Sequence, residues 1–399
     1  MSLDLTKVAA QVGNMVARLK ASGQERRRRL EAALAALNDS SPDIEGLKKK
    51  LDQSKTTWLV AGLVDGLEHR YQAPPLPPDF NVIATDGSQI DVDRHQSTRC
   101  YLINIGAVVL GYGAEPRAFL ESYPALYFGD RELVIAPDGD SGREQLIEGS
   151  LLGIKRHVDE CHRLLELARE LPKDSPSLAL LDGSLSLWQL EAYPRFVTDT
   201  LLIKGFLRHL EEMKRLNAER RLALASYISF PRSADVVNSL RVALCPKEIL
   251  DTDRDCPTCT TRECQAVAGV QDRELFGSLL EEGERSALFR SQSKVVSEHY
   301  GGQWVYFFYL RTDGEISRVE IPQWVAQDED LLNLTHGLVL DQCRRGQGYP
   351  VALSEAHEQA VVTGADRESF WQLVESLLIG EHLPAPTSAK SLSKRTRWV

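Results

Sequence analysis

The sequence has 399 residues, 47 of them basic and 57 acidic, for a formal net charge of −10. Its 43% hydrophobic and 26% charged content excludes wholesale disorder, and the acidic balance taken alone argues against a nucleic-acid partner. No run reaches the roughly 18 apolar residues that span a bilayer, and residues 1–20 lack a signal peptide's apolar stretch, so a cytoplasmic protein is expected.

Leu3, Leu5, Val8, Val12, Val16 and Leu19, then Leu30, Leu34 and Leu37, recur at helical spacing over 3–37. A second helix is expected over 44–70. Pro74, Pro75, Pro77 and Pro78 then break any helix and mark a boundary, so 1–72 reads as a helical N-terminal extension. Strands are expected at 81–86, at 99–113 and, after a long helical pattern at 142–170, at 177–182. Helix, strand and helix follow at 195–218, 221–229 and 233–244. Residues 304–311 are rich in aromatic and branched strand formers and pair with 316–321 across Asp313-Gly314. Helices return at 328–345, 351–363 and 366–379. Strands alternating with helices predict a mixed α/β sheet covered on both faces.

Two of these strands share one design. Val82-Ile83-Ala84-Thr85-Asp86-Gly87-Ser88 and Leu178-Ala179-Leu180-Leu181-Asp182-Gly183-Ser184 each bring a carboxylate to the end of a buried run, followed by glycine. Strand ends are where α/β sheets place ligands, and two aspartates on neighbouring strands suit a hard divalent cation such as Mg²⁺ or Mn²⁺. Asp-Gly is also an ordinary turn dipeptide. A third carboxylate would come from the 142–170 helix, where Glu144, Glu148 and Glu160 are candidates. Glu148 sits among Leu146, Ile147, Leu151 and Leu152.

Other chemistries lack their motifs. There is no phosphate loop of the ATP-motor type, no Gly-x-Ser-x-Gly elbow and no His-Glu-x-x-His zinc helix. A glycosidase with paired carboxylates is disfavoured by an aromatic content of only 7%.

Together these segments resemble the NurA family of nucleases over most of 80–365. The resemblance rests on IATDGSQI at 83–90, LLDGSL at 180–185, YISFPRSADVVNSLR at 227–241, RVEIPQWVA at 318–326 and YPVALSEAHEQAVV at 349–362. It implies an RNase H-like mixed β-sheet core flanked by helices, spanning 73–384. It also implies a 5′–3′ exonuclease and single-strand endonuclease that hydrolyses DNA with Mn²⁺ or Mg²⁺. The partners implied are DNA, a second copy in a homodimer, and a hexameric HerA-type ATPase that translocates DNA during end resection and repair. Carried across residue by residue, Asp86 and Asp182 match the strand-end metal aspartates. Glu148 is the best match for the helix glutamate, with Glu144 as fallback, and Tyr349 and His357 match the C-terminal tyrosine and histidine. His357 would donate a proton or complete a metal shell, and Tyr349 would orient water or contact phosphate. A contrasting reading is a non-catalytic accessory subunit that docks on a DNA translocase and regulates it.

Charge is unevenly spread. Residues 1–60 carry 11 basic against 7 acidic residues, and 385–399 carry Lys390, Lys394, Arg395 and Arg397 with no acid, leaving −10 − 8 = −18 for the middle. Arg26 to Arg29 suit either phosphate or a solvated helix face. An acidic middle is compatible with DNA chemistry where cations bind the carboxylates and invert the local field.

Cys245, Cys256, Cys259 and Cys264, spaced C-x10-C-x2-C-x4-C, form a cysteine-rich insert at about 245–270. Four thiolates suit tetrahedral Zn²⁺ or an iron–sulfur cluster, while free thiols or a redox pair are the plainer readings. Cys100, Cys161 and Cys343 read as small core residues.

Overall fold

The computed structural model describes residues 4–92, 98–137, 139 and 142–383; the basic tail at 385–399 lies outside them. The chain divides into two compact units, one of 1–72, 229–293 and 306–319, the other of 73–228, 294–305 and 320–399. The passage from the first to the second falls in the proline-rich stretch, which forms no helix.

The first unit opens with the helix Leu5–Ser40, whose first turn is capped by the Asp4 carboxylate accepting from the Thr6 and Lys7 amides. Only Ala33, Ala36 and Leu37 of this helix are buried. They join a core with Leu240, Leu275, Phe276, Phe289 and Tyr309, where each fully buried large side chain contributes roughly 1.5–3 kcal/mol. Within the arginine block, Arg26 pairs with Glu274 at 2.5 Å and Arg29 with Glu25 at 2.9 Å. The single helix expected over 44–70 is instead a helix at Ile44–Gln53 and a strand at Ala61–Leu63. Two partners remote in sequence end the helix there. The Lys55 amide donates to Leu250 and the Thr252 amide to Lys55, and Ala61–Leu63 pairs antiparallel with Phe289–Ser291.

The second unit is built on a five-stranded run in the order Leu222–Ile228, Ser177–Asp182, Phe80–Ile90, Tyr101–Tyr112, Arg117–Tyr127. The first three strands are mutually parallel and the last two antiparallel additions, so the sheet is mixed. The Phe80–Ile90 strand is longer than the expected 81–86 run and carries straight through Asp86-Gly87-Ser88. The edge strand Arg117–Tyr127 has no counterpart among the expected elements. It is almost wholly exposed, so it shows no buried-face alternation, and it tolerates Pro124 because an edge strand has an amide row to spare.

Helices cover both faces of this sheet. The helix Ser150–Glu170 lies on the side of Thr85, whose hydroxyl donates to the Glu160 carbonyl at 3.0 Å. The helix Val351–Ala360 lies on the other, where Ser88 and Asn104 donate to the Ala360 carbonyl at 2.5 and 2.9 Å and satisfy its C-terminal end. Its close seat depends on Gly106, the partner of Asp86 across the ladder: a Cβ there would lie 2.1 Å from the Ala356 carbonyl oxygen and 2.6 Å from the Ala360 nitrogen. The helix expected from 142 begins only at Ser150. Gln145–Leu146 pairs as a short strand with Val134–Ile135, and Gly149, at φ 58° and ψ −125°, interrupts the helical path.

Candidate active site

The Phe80–Ile90 and Ser177–Asp182 strands run parallel, with Ala84 beside Leu180 and Thr85 beside Leu181. One step beyond this register come Asp86 and Asp182. Apolar side chains below them bury the strands, and the two carboxylates emerge together where that packing ends. They share a cavity of ≈ 380 Å³ with Arg156, His157 and Glu160 of the 150–170 helix, and with Ser184, Ser186 and Gln189 beyond the second strand.

Glu160, not Glu148, is therefore the helix carboxylate placed beside the aspartates. Glu148 precedes the helix and does not line the cavity, and Glu144 is exposed. Glu160 is 2% exposed, and Gly87 makes room for it, since a Cβ at 87 would lie 2.5 Å from Glu160 Oε1. Two basic side chains of its own helix face it: Arg156 Nε stands 3.1 Å from Oε1 and His157 Nδ1 3.0 Å from Oε2. Spacings of three and four residues bring these side chains to one helix face.

Asp182 is exposed at the end of its strand. Protein atoms packed around its carboxyl still push the pKa up, the neighbouring Asp86 and Glu160 charges push the same way, and hydrogen bonding from the Tyr349 hydroxyl and the Gly183 amide opposes them. Burial and the Asp182 charge drive the Tyr349 phenol far above its ordinary value, so it stays protonated and donates. Its ring is held edge-on by Tyr227 at 5.5 Å. His357, on the 351–360 helix, places Nδ1 2.7 Å from Asp86 Oδ2. With a carboxylate as acceptor, Nδ1 carries the proton and Nε2 is turned away from Asp86. The imidazole is largely exposed, whereas the Asp86 side chain is 13% exposed.

The loop after Asp182 is anchored by a residue the sequence reading missed. Glu320, 2% exposed, accepts from the Ser184 hydroxyl at 2.8 Å and the Leu185 amide at 2.9 Å. Its only sequence signal was membership of the RVEIPQWVA segment.

The donor chemistry suits a hard divalent cation: three carboxylates face one cavity, and their mutual repulsion is what a cation relieves. The buried Glu160 Oε1 also accepts no hydrogen bond. The set is not preassembled, since among the described residues no three His, Cys, Asp or Glu side chains already stand close enough to hold an ion.

A family model for the NurA domain matches residues 80–362, well over half of the chain. The chain belongs to the NurA domain family. The match takes in Asp86, Glu160, Asp182, Glu320, Tyr349 and His357, so the whole cavity cluster lies within the NurA domain. Among solved structures, the crystal structure of the NurA nuclease from Sulfolobus solfataricus is similar at 14% identity, covering 96% of this chain and 98% of that one with a TM-score of 0.49. The prototype foamy virus protease–reverse transcriptase is similar at 13% identity, covering 54% of this chain and 23% of that one with a TM-score of 0.17. No curated protein matches the chain.

Proposed function

We propose that this chain is a divalent-metal-dependent DNA nuclease, a 5′–3′ exonuclease and single-strand endonuclease that hydrolyses phosphodiester bonds. The observation that carries this reading is the convergence of Asp86 and Asp182, side by side on adjacent parallel strands, with Glu160 in one cavity. Membership of the NurA domain family supports it. The antiparallel 80–127 meander continued by parallel strands 177–182 and 222–228 supports an RNase H-like description of the core.

Asp86, Asp182 and Glu160 are the side chains that would hold Mn²⁺ or Mg²⁺, which would supply charge stabilisation and an activated water. The remaining chemistry belongs to the chain. Arg156, a third exposed, offers its guanidinium to an anionic phosphate while offsetting Glu160. His357, oriented through Nδ1 by Asp86, presents Nε2 to give or take a proton. Tyr349 keeps Asp182 oriented through its hydroxyl. The absence of a phosphate loop fits a partnership with a separate HerA-type ATPase, with the nuclease acting as a homodimer in DNA-end resection.

The unassembled donor set favours a second reading, a non-catalytic subunit docked on a translocase. Cleavage of a 5′-labelled duplex and of a single strand under Mn²⁺, Mg²⁺ and EDTA separates the two. The nuclease reading expects metal-dependent cutting that disappears in Asp86→Ala with the fold intact. Cutting that survives in rigorously purified Asp86→Ala, or no cutting by the wild type, sinks it.

A further inference from the structure

We propose that Cys245, Cys256, Cys259 and Cys264 bind one structural zinc ion that fastens the segment they span, independently of the carboxylate cavity. All four are free thiols, and all four line a single cavity of ≈ 240 Å³ within the first unit. Between its ends the segment has little regular structure to hold it. Its regular structure is limited to short turns at Thr252–Asp255, Cys256–Thr258 and Glu263–Val267. Its two ends are tied to the rest of the unit, near Leu250 and Thr252 against Lys55 and Thr57, and at Val267, buried in the core, and Ala268, whose carbonyl accepts from Arg29 at 2.9 Å. That leaves the stretch between Cys256 and Arg262 to be fastened.

The local geometry already has the form of a metal knuckle. Cys256 and Cys259 are two residues apart, joined by a turn in which the Cys259 amide donates to the Cys256 carbonyl at 3.3 Å. Beyond it the chain enters a left-handed conformation at Arg262, φ 50°, which non-glycine residues rarely adopt. That conformation aims the Arg262 amide at Cys259 Sγ, 3.5 Å away, and the Thr261 hydroxyl lies 3.6 Å from the same sulfur. Oriented donors on a sulfur stabilise a thiolate, the form that ligates metal.

The surroundings supply compensating charge. Four thiolates on Zn²⁺ carry about −2 in total. Lys50 reaches the Cys245 carbonyl at 2.6 Å, and Arg241 stacks at 3.8 Å over Trp58, which lines the same cavity. The indole N–H of Trp58 is buried without an acceptor. No three of the thiols yet stand at ligating distance, so the ion would draw the turn at 256–264 toward Cys245, coupling metal binding to order in the segment. Zinc is favoured over an iron–sulfur cluster because each cysteine is half-exposed and Thr258, Thr260 and Thr261 share the lining. A redox-inert ion tolerates such solvent access, whereas exposure shifts a cluster's potential.

The test is elemental analysis of the full-length protein purified without chelators, with thiol titration and Co²⁺ addition to the metal-stripped chain. One zinc per chain is expected, together with the visible bands of a tetrahedral cobalt thiolate. Asp86→Ala should retain the zinc, and Cys256→Ser/Cys259→Ser should lose it. Zinc far below one per chain with no cobalt spectrum overturns the proposal. So does iron with acid-labile sulfide in its place, or titration showing the thiols oxidised to disulfides. The wild-type stoichiometry decides the matter even where the cysteine variant fails to fold.

Discussion

The imidazole of His357 lies 2.7 Å from the carboxylate of Asp86 across 271 residues of chain. The contact forms because Gly106, opposite Asp86 in the ladder, leaves room for the backbone of the His357 helix. A nuclease that uses this imidazole for proton transfer should lose about 10²–10⁴-fold in cleavage rate on His357→Ala. The ring is largely exposed, so thermal unfolding should be nearly unchanged. Equal cleavage rates in steady-state assays would remove His357 from the mechanism.

Glu160 and Glu148 make opposed predictions. Glu160→Gln should abolish metal-dependent cutting and weaken Mn²⁺ binding measured calorimetrically, because its carboxyl lines the cavity with both aspartates. Glu148→Gln should leave cutting within a few-fold of wild type. The reverse outcome would return the third carboxylate to the chain ahead of the helix.

Gly106→Ala should be among the most damaging small substitutions. The added methyl meets backbone atoms at 2.1 and 2.6 Å rather than a movable side chain, and forced overpacking costs about 1–3 kcal/mol or more. Gly153→Ala, in the 150–170 helix with nothing within 4 Å, should instead stabilise by roughly 0.5–1 kcal/mol. Calorimetric melting of the two variants checks both signs.

A pH dependence is built into the first unit. Asp272 is fully buried, its carboxylate accepting from the Val236 and Val237 amides and, at 2.6 Å, from the Tyr309 hydroxyl. Burial, then the neighbouring Asp235 charge, pushes its pKa from 3.8 up to about 6. The folded state therefore binds this proton more tightly than the unfolded chain. Its contribution to stability is full below 3.8 and is lost as pH rises through about 6. The melting temperature of the wild type relative to Asp272→Asn should accordingly fall between about pH 4 and about pH 7. A difference that stays constant or grows with pH would contradict the assignment.

Much of the α/β pattern was legible because its signals are local. The apolar runs ending at Asp86 and Asp182 fold as buried strands wherever they pair, so the two carboxylates at their ends could be read directly. Tyr349 and His357 stood out only through the family resemblance, since one tyrosine on a loop and one histidine on a helix carry no pattern of their own. The exposed edge strand Arg117–Tyr127 was invisible for the opposite reason, having no buried face to impose alternation.

The tertiary structure decided the rest. Which helix glutamate meets the aspartates depends on where the helix starts and how it crosses the sheet. Gly149 sets the first, and the space left by Gly87 the second, and neither can be read from glutamate spacing. Chain 44–70 is helical only over Ile44–Gln53 because Leu250, Thr252 and Phe289–Ser291, distant in sequence, claim its backbone hydrogen bonds. The sequence by itself determined which residue types were present and which runs would be buried. Only packing determined which carboxylates, amides and thiols came within reach of one another, because such contacts depend on backbone approach over long separations rather than on local preference.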